Sequence, residues 1–157
     1  MSASAILRPT ISSASIFALL YEIVAAEAGA VVKTIGDAVM ATFQTPDRAL
    51  AAALRMREAM SRLNAERHNE DLLLKIGIHD GPCLAVRLND NQDYFGQTVN
   101  LAARVQGLAS SRAIFVTKSV VEDAKAAKIL ESSGLQPTMQ HAALRGIADQ
   151  TTVYEIP

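Results

Sequence analysis

The sequence predicts an α+β domain in which helices lie on one face of a mostly antiparallel sheet. Three observations lead there. Apolar runs flank Gly36-Asp37, and others flank Asp80-Gly81, each pair reading as two strands joined by a tight turn. Stretches near 16–28, 45–68 and 97–109 repeat apolar residues at helical spacing. Hairpins and helices then follow one another along the chain, a layout that segregates helices from an antiparallel sheet.

Taken in order, residues 1–15 are rich in Ser and Ala and carry Pro9. They read as a poorly ordered lead-in with at most a short strand at Ala5–Leu7, since proline limits strand length. A domain is expected over 16–157. Ile16, Leu19, Leu20, Ile23 and Val24 fall on one helical face over 16–28, and Gly29 is a helix stop. Strands follow at 30–35 and 38–43. Thr45 as N-cap and Pro46 in the first turn open a helix that ends near His68. Its buried stripe is Ala49, Ala53, Met56, Met60 and Leu63. Strands are expected at 72–79 and 83–88, with Asn89-Asp90-Asn91 as a polar tip. A helix covers 97–109, with Leu101, Ala102, Val105, Leu108 and Ala109 inward. A strand at 113–116 precedes a short helix started by the capping-box pattern Ser119-x-x-Glu122. Two weak strands close the chain near 139–144 and 151–156.

Composition narrows the classes. The chain has 157 residues, 50% hydrophobic and 20% charged, enough for one domain with a real core and unlike a disordered segment. With no Trp and few other aromatics, that core must be built from Ala, Leu, Val and Ile. A formal net charge of −1 argues against a sequence-independent nucleic-acid binder. Cys83 is the single cysteine, which fits a reducing cytoplasm. No apolar run reaches the ~18 residues of a membrane span, and Arg8 and Pro9 interrupt what would otherwise resemble a signal sequence. A cytoplasmic location is expected.

Two segments say more. Lys33-Thr34-Ile35-Gly36-Asp37-Ala38-Val39-Met40-Ala41 and Asp93-Tyr94-Phe95-Gly96-Gln97-Thr98-Val99-Asn100-Leu101-Ala102-Ala103-Arg104 resemble signature stretches of class III adenylate/guanylate cyclase catalytic domains. Ile76-Gly77-Ile78-His79-Asp80-Gly81-Pro82 matches the strand-turn between them. The resemblance covers roughly four fifths of the chain and implies a ferredoxin-like cyclase palm. It also implies conversion of ATP to cyclic AMP and pyrophosphate at a dimer interface. There the ribose 3′-oxygen attacks the α-phosphorus in line, with two divalent ions, Mg²⁺ or Mn²⁺.

Residue by residue, the resemblance makes Asp37 the second metal-binding carboxylate. Lys33 and Asp93 become the pair that reads adenine, which favours ATP over GTP because the wrong base leaves both groups unpaired. Asn100 orients the ribose, and Arg104 stabilises charge on the α-phosphate. The two are four apart on a helix and share a face directed away from the apolar stripe. Arg145 takes the place of a lysine that holds the β- and γ-phosphates, keeping its charge but changing its geometry.

One departure stands out. The family's first strand carries another metal-binding aspartate upstream of the helix at 16–28. Residues 1–15 contain no acidic residue, and the carboxylates before Asp37 are Glu22 and Glu27, inside the helix. The first central strand is therefore expected to be absent or replaced. Two functional readings follow: a homodimeric adenylate cyclase, or a catalytically dead cyclase-homology module that binds nucleotide weakly or dimerises with a complete cyclase. A truncated reading frame, a degenerate cyclase and a domain completed by a partner all fit.

Each residue also has a plainer reading. Asp37 suits a tight turn for backbone reasons alone. Lys33, Asp93, Asn100 and Arg104 each fit a solvated surface, and Arg145 fits one best. Their joint occurrence favours the site for the first five. His68, His79 and His141 lack metal-ligand spacing and read as structural.

Overall fold

The computed structural model describes residues 3–11, 13–81, 84–88, 91–95, 97–109, 113–143 and 151–157. Its first element is a strand, β1 (Ala3–Pro9), followed by α1 (Ala14–Ala26), β2 (Ala30–Ile35), β3 (Ala38–Phe43) and α2 (Pro46–Arg67). Then come β4 (Leu74–Asp80), β5 (Leu84–Leu88), β6 (Asn91–Phe95), α3 (Gln97–Gln106) and β7 (Ile114–Thr117). The chain continues through α4 (Lys118–Val121), α5 (Ala124–Ser132), β8 (Thr138–Ala142) and β9 (Thr151–Ile156).

Seven strands form one sheet in the order β2-β3-β1-β4-β7-β9-β8. All neighbours in it are antiparallel except β4 and β7. The expected lead-in is thus corrected over residues 3–9, which occupy an interior position between β3 and β4. Leu7 faces Val39 on one side and Ile76 on the other. The run Ala-Ser-Ala-Ile-Leu is apolar enough to be buried on both faces, which short-range patterning does not separate from a loose apolar stretch. Pro9 comes last in the strand, opposite Leu74, where its missing N–H costs little. Thr10 closes the ladder: its N–H donates to the Leu73 carbonyl at 2.8 Å, and its Oγ1 accepts from the Leu73 N–H at 2.8 Å.

The two sheet faces are covered differently. Ala3, Ala5, Leu7, Val39, Ala41, Phe43, Ile76, Ile78 and Ile114 pack with α1, α2, α4 and α5 in the main core. Ile6, Ala38 and Met40 pack with Ala102 of α3 on the opposite face. The expectation of helices on one face therefore holds for four helices, while α3 crosses the other. Gly77 permits this close crossing: a Cβ there would lie 2.7 Å from the Ala102 carbonyl oxygen and would run into the Gln106 backbone.

The hairpin around Gly36-Asp37 forms as expected, with Ile35 opposite Ala38. Gly36 adopts φ +60°, whereas Asp37 is not among the residues at positive φ, the pattern of a type II′ turn. Helix α1 is capped by Ser13, whose Oγ accepts from the Ile16 N–H at 3.3 Å. Glu27 ties it to α2 through Arg55 at 2.9 Å and Arg48 at 3.4 Å.

Two local expectations are corrected. Strand 83–88 does not form a hairpin with its predecessor. β4 already has β1 and β7 on its two edges, so the chain leaves the sheet, and β5 pairs instead with β6 in a separate two-stranded ribbon. β6 had no strand signal because its first three residues, Asn91-Gln92-Asp93, are polar. The Ser119 cap is also not made. The Ser119 hydroxyl donates to the Asp80 carbonyl at 2.9 Å, and Asp123 caps the following helix by accepting from the Ala126 N–H at 2.9 Å.

Candidate active site

The side of the sheet covered by α3 gathers most of the residues singled out in the sequence. Lys33 stands opposite Met40 in the β2–β3 ladder. Cross-strand partners share a face, so Lys33 lies on the same side as Met40 and Ala102. It is half-buried. Asp93 stands opposite Val86 in the β5–β6 ribbon, and β6 lies against both β2 and α3. The strands that carry Lys33 and Asp93 are therefore neighbours, although they belong to different sheets.

Helix α3 divides its residues as its periodicity requires. Ala102 and Val105 are fully buried, while Asn100 is exposed and Arg104 half-buried. Asn100 and Arg104 are thus displayed together, and the crossing at Gly77 fixes the distance of their helix from the sheet. Arg145 lies outside the described residues.

Asp37 sits at the tip of the β2–β3 hairpin, level with the last residues of β1. Side chains alternate along β1, so Arg8 follows Ile6 onto the α3 side of the sheet. The Arg8 guanidinium reaches the hairpin tip, with Nη1 3.4 Å from Asp37 Oδ1. Both side chains are about half exposed, 44% and 53%. Such a pair contributes at most about 1 kcal/mol to stability. Its importance lies in what it places beside the carboxylate.

Sequence reasoning noted Arg8 only as a break in an apolar run. Its partnership with Asp37 depends on β1 lying next to β3, and residues 29 apart in sequence give no local signal of that.

A second polar cluster lies at the other end of β4. His79 Nδ1 is 2.6 Å from Thr117 Oγ1, which is 3.1 Å from Ser119 Oγ. Burial pushes the His79 imidazolium below the ordinary histidine range, and the Asp80 carboxylate offsets part of that. Asp80 Oδ1 is buried without a hydrogen-bond partner. The hydroxyls brace β4 against β7.

Among the described residues no group of three or more His, Cys, Asp or Glu side chains is placed to hold a metal ion. Asp37 faces an arginine where a second carboxylate would be needed. These residues do not fit a two-metal centre, because hard divalent ions require several oxygen ligands. Among the described residues, too, no helix is long and apolar enough to cross a membrane.

Comparison with known proteins agrees with this architecture. The profile of the adenylate and guanylate cyclase catalytic domain matches residues 11–155. An adenylate cyclase of Anabaena cylindrica is 32% identical over 146 residues, which is 83% of this chain and 28% of that protein. The chain thus spans less than a third of that relative's length. Among solved structures, an adenylate cyclase of Trypanosoma brucei in its monomeric state superposes with a TM-score of 0.80, covering 99% of this chain and 90% of that one. At 18% identity it speaks for the fold alone. An adenylate/guanylate cyclase/hydrolase from Silicibacter pomeroyi has a TM-score of 0.72 at 27% identity, covering 98% and 95%.

Proposed function

This chain belongs to the adenylate and guanylate cyclase catalytic-domain family, and we propose that it acts as the nucleotide-recognising partner of a second cyclase domain rather than as a self-sufficient enzyme. The family depends on divalent metal ions and works as dimers. One observation carries the reading. Asn100 and Arg104 lie on α3, Asp93 lies on β6 beside it and Lys33 lies on the sheet face that α3 covers, the four positions read here as nucleotide recognition, while at the hairpin tip Asp37 faces Arg8. The two halves of the expected machinery are unequally kept.

In this reading Lys33 donates to adenine and Asp93 accepts from its exocyclic amine, so ATP is preferred to GTP. Asn100 holds the ribose hydroxyls and fixes the orientation of the 3′-oxygen. Arg104 faces the α-phosphate and stabilises the charge that develops on it. In this reading the partner domain supplies the metal-binding carboxylates. Arg145 is proposed to contact the outer phosphates.

The test pairs this chain with a cyclase domain that keeps its own carboxylates but has lost its adenine-reading lysine and its α-phosphate arginine. Neither protein alone is expected to make cyclic AMP from ATP with Mn²⁺, whereas the mixture is. Arg104→Ala in this chain should then lower the mixed activity by about a hundredfold or more. A folded chain that forms the mixed dimer and yields no cyclic AMP overturns the proposal. So does robust product from the chain alone.

A further inference from the structure

We infer that Arg8 is a built-in cation beside the Asp37 carboxylate that opposes the binding of divalent metal ions at the hairpin tip. The inference deepens the reading of this chain as the carboxylate-poor partner, but it does not depend on nucleotide binding.

The interior place of β1 between β3 and β4 fixes the register, with Leu7 opposite Val39 and Arg8 opposite Lys75. Register therefore determines which residue meets the hairpin tip. Ile6 packs on the α3 side with Ala38 and Met40, and the next residue on that side is Arg8. Its guanidinium lies 3.4 Å from the Asp37 carboxylate.

A divalent ion bound to Asp37 would sit about 2.1 Å from the carboxylate oxygen. With the guanidinium unmoved, the two cations would be about 5.5 Å apart. Even in a water-like dielectric their repulsion weakens metal binding about tenfold. To escape it, Arg8 must give up its ion pair. Lys75, its cross-strand neighbour in β4, adds further positive charge along the same strand ends. At the tip the Asp37 carboxylate therefore faces a cation already in place, the reverse of what a divalent ion needs.

The test uses the full chain and Mn²⁺ alone, without nucleotide, following the free ion by electron paramagnetic resonance. Wild type should show only weak binding, unchanged by Asp37→Asn. Arg8→Ala should bind about tenfold more tightly than wild type. Arg8→Asp places two carboxylates at the tip and should bind on the order of a hundredfold more tightly, with that gain lost when Asp37→Asn is added. Circular dichroism melts identify the folded variants. Arg8 is exposed, so Arg8→Ala and Arg8→Gln are expected to fold and carry the test if Arg8→Asp does not. Equal Mn²⁺ affinity in wild type and Arg8→Ala overturns the inference, as does tight wild-type binding that depends on Asp37. Because no nucleotide is present, failure here is separate from failure of the mixed-dimer assay.

Discussion

Leu7→Ala tests whether residues 3–9 are structural. Leu7 is 1% exposed and packs in the main core, on a strand with neighbours on both edges. The substitution removes three buried carbons and leaves a cavity whose walls, including Val39 and Ile76, are held by two ladders and cannot readily collapse. Fully buried leucines in such settings cost about 3 kcal/mol or more when truncated. For a domain of this size that is roughly a 6–12 °C fall in Tm. The assay is urea and thermal unfolding followed by far-UV circular dichroism, since the chain has no Trp. The urea midpoint should fall while the slope of the transition stays constant. Arg8→Ala, one residue on but exposed, is the control and should change stability by about 0.5 kcal/mol or less. A Leu7→Ala loss below about 1 kcal/mol would refute the argument, because a peripheral lead-in would tolerate it and a central strand would not.

Other predictions follow from the same geometry. Gly77→Ala should cost about 1–3 kcal/mol by pushing α3 off β4, and it should weaken ATP binding by moving Asn100 and Arg104; unchanged calorimetric affinity would show that α3 need not sit so close. Asn64 donates to the Leu72 carbonyl at 2.7 Å and accepts from the Leu72 N–H at 3.0 Å, both buried. Asn64→Ala should therefore cost about 2–4 kcal/mol in urea unfolding, because two backbone groups lose their partners. His79 titrates below its unfolded value of about 6.5. The unfolded chain then binds more protons in the window just below that value, so the contribution of His79 is complete above it and is lost as pH falls through the folded pKa. The slope from this group is at most about 1.4 kcal/mol per pH unit, and His79→Asn should flatten the Tm profile between pH 5 and 7. An unchanged profile would remove His79 from the acid response.

Much of the local architecture was legible because its signals are local. The Gly36-Asp37 hairpin has strand bounds set by two apolar runs and a turn that needs glycine at positive φ. Helix α2 begins at Pro46 as expected and runs to Arg67, with His68 as its C-cap, although the Thr45 side chain makes no capping hydrogen bond. Helix α3 shows Asn100 and Arg104 together because four residues span about one turn. The resemblance of two segments to cyclase signatures led to the family that the profile match establishes.

What the sequence could not decide was which strands become neighbours. The ladder that makes Ala3–Pro9 central joins it to residues about 30 and 70 positions away, and no local preference encodes that choice. The same holds for β5, which was expected to pair with β4 and finds both edges of that strand taken. Arg8 shows the consequence most clearly. By itself the sequence determined that residues 1–15 carry no carboxylate and that Asp37 occupies a tight turn. Only the tertiary structure brought the guanidinium to that turn, because sheet register, fixed by burying Ile6 on one face and Leu7 on the other, decides which side chain reaches the tip.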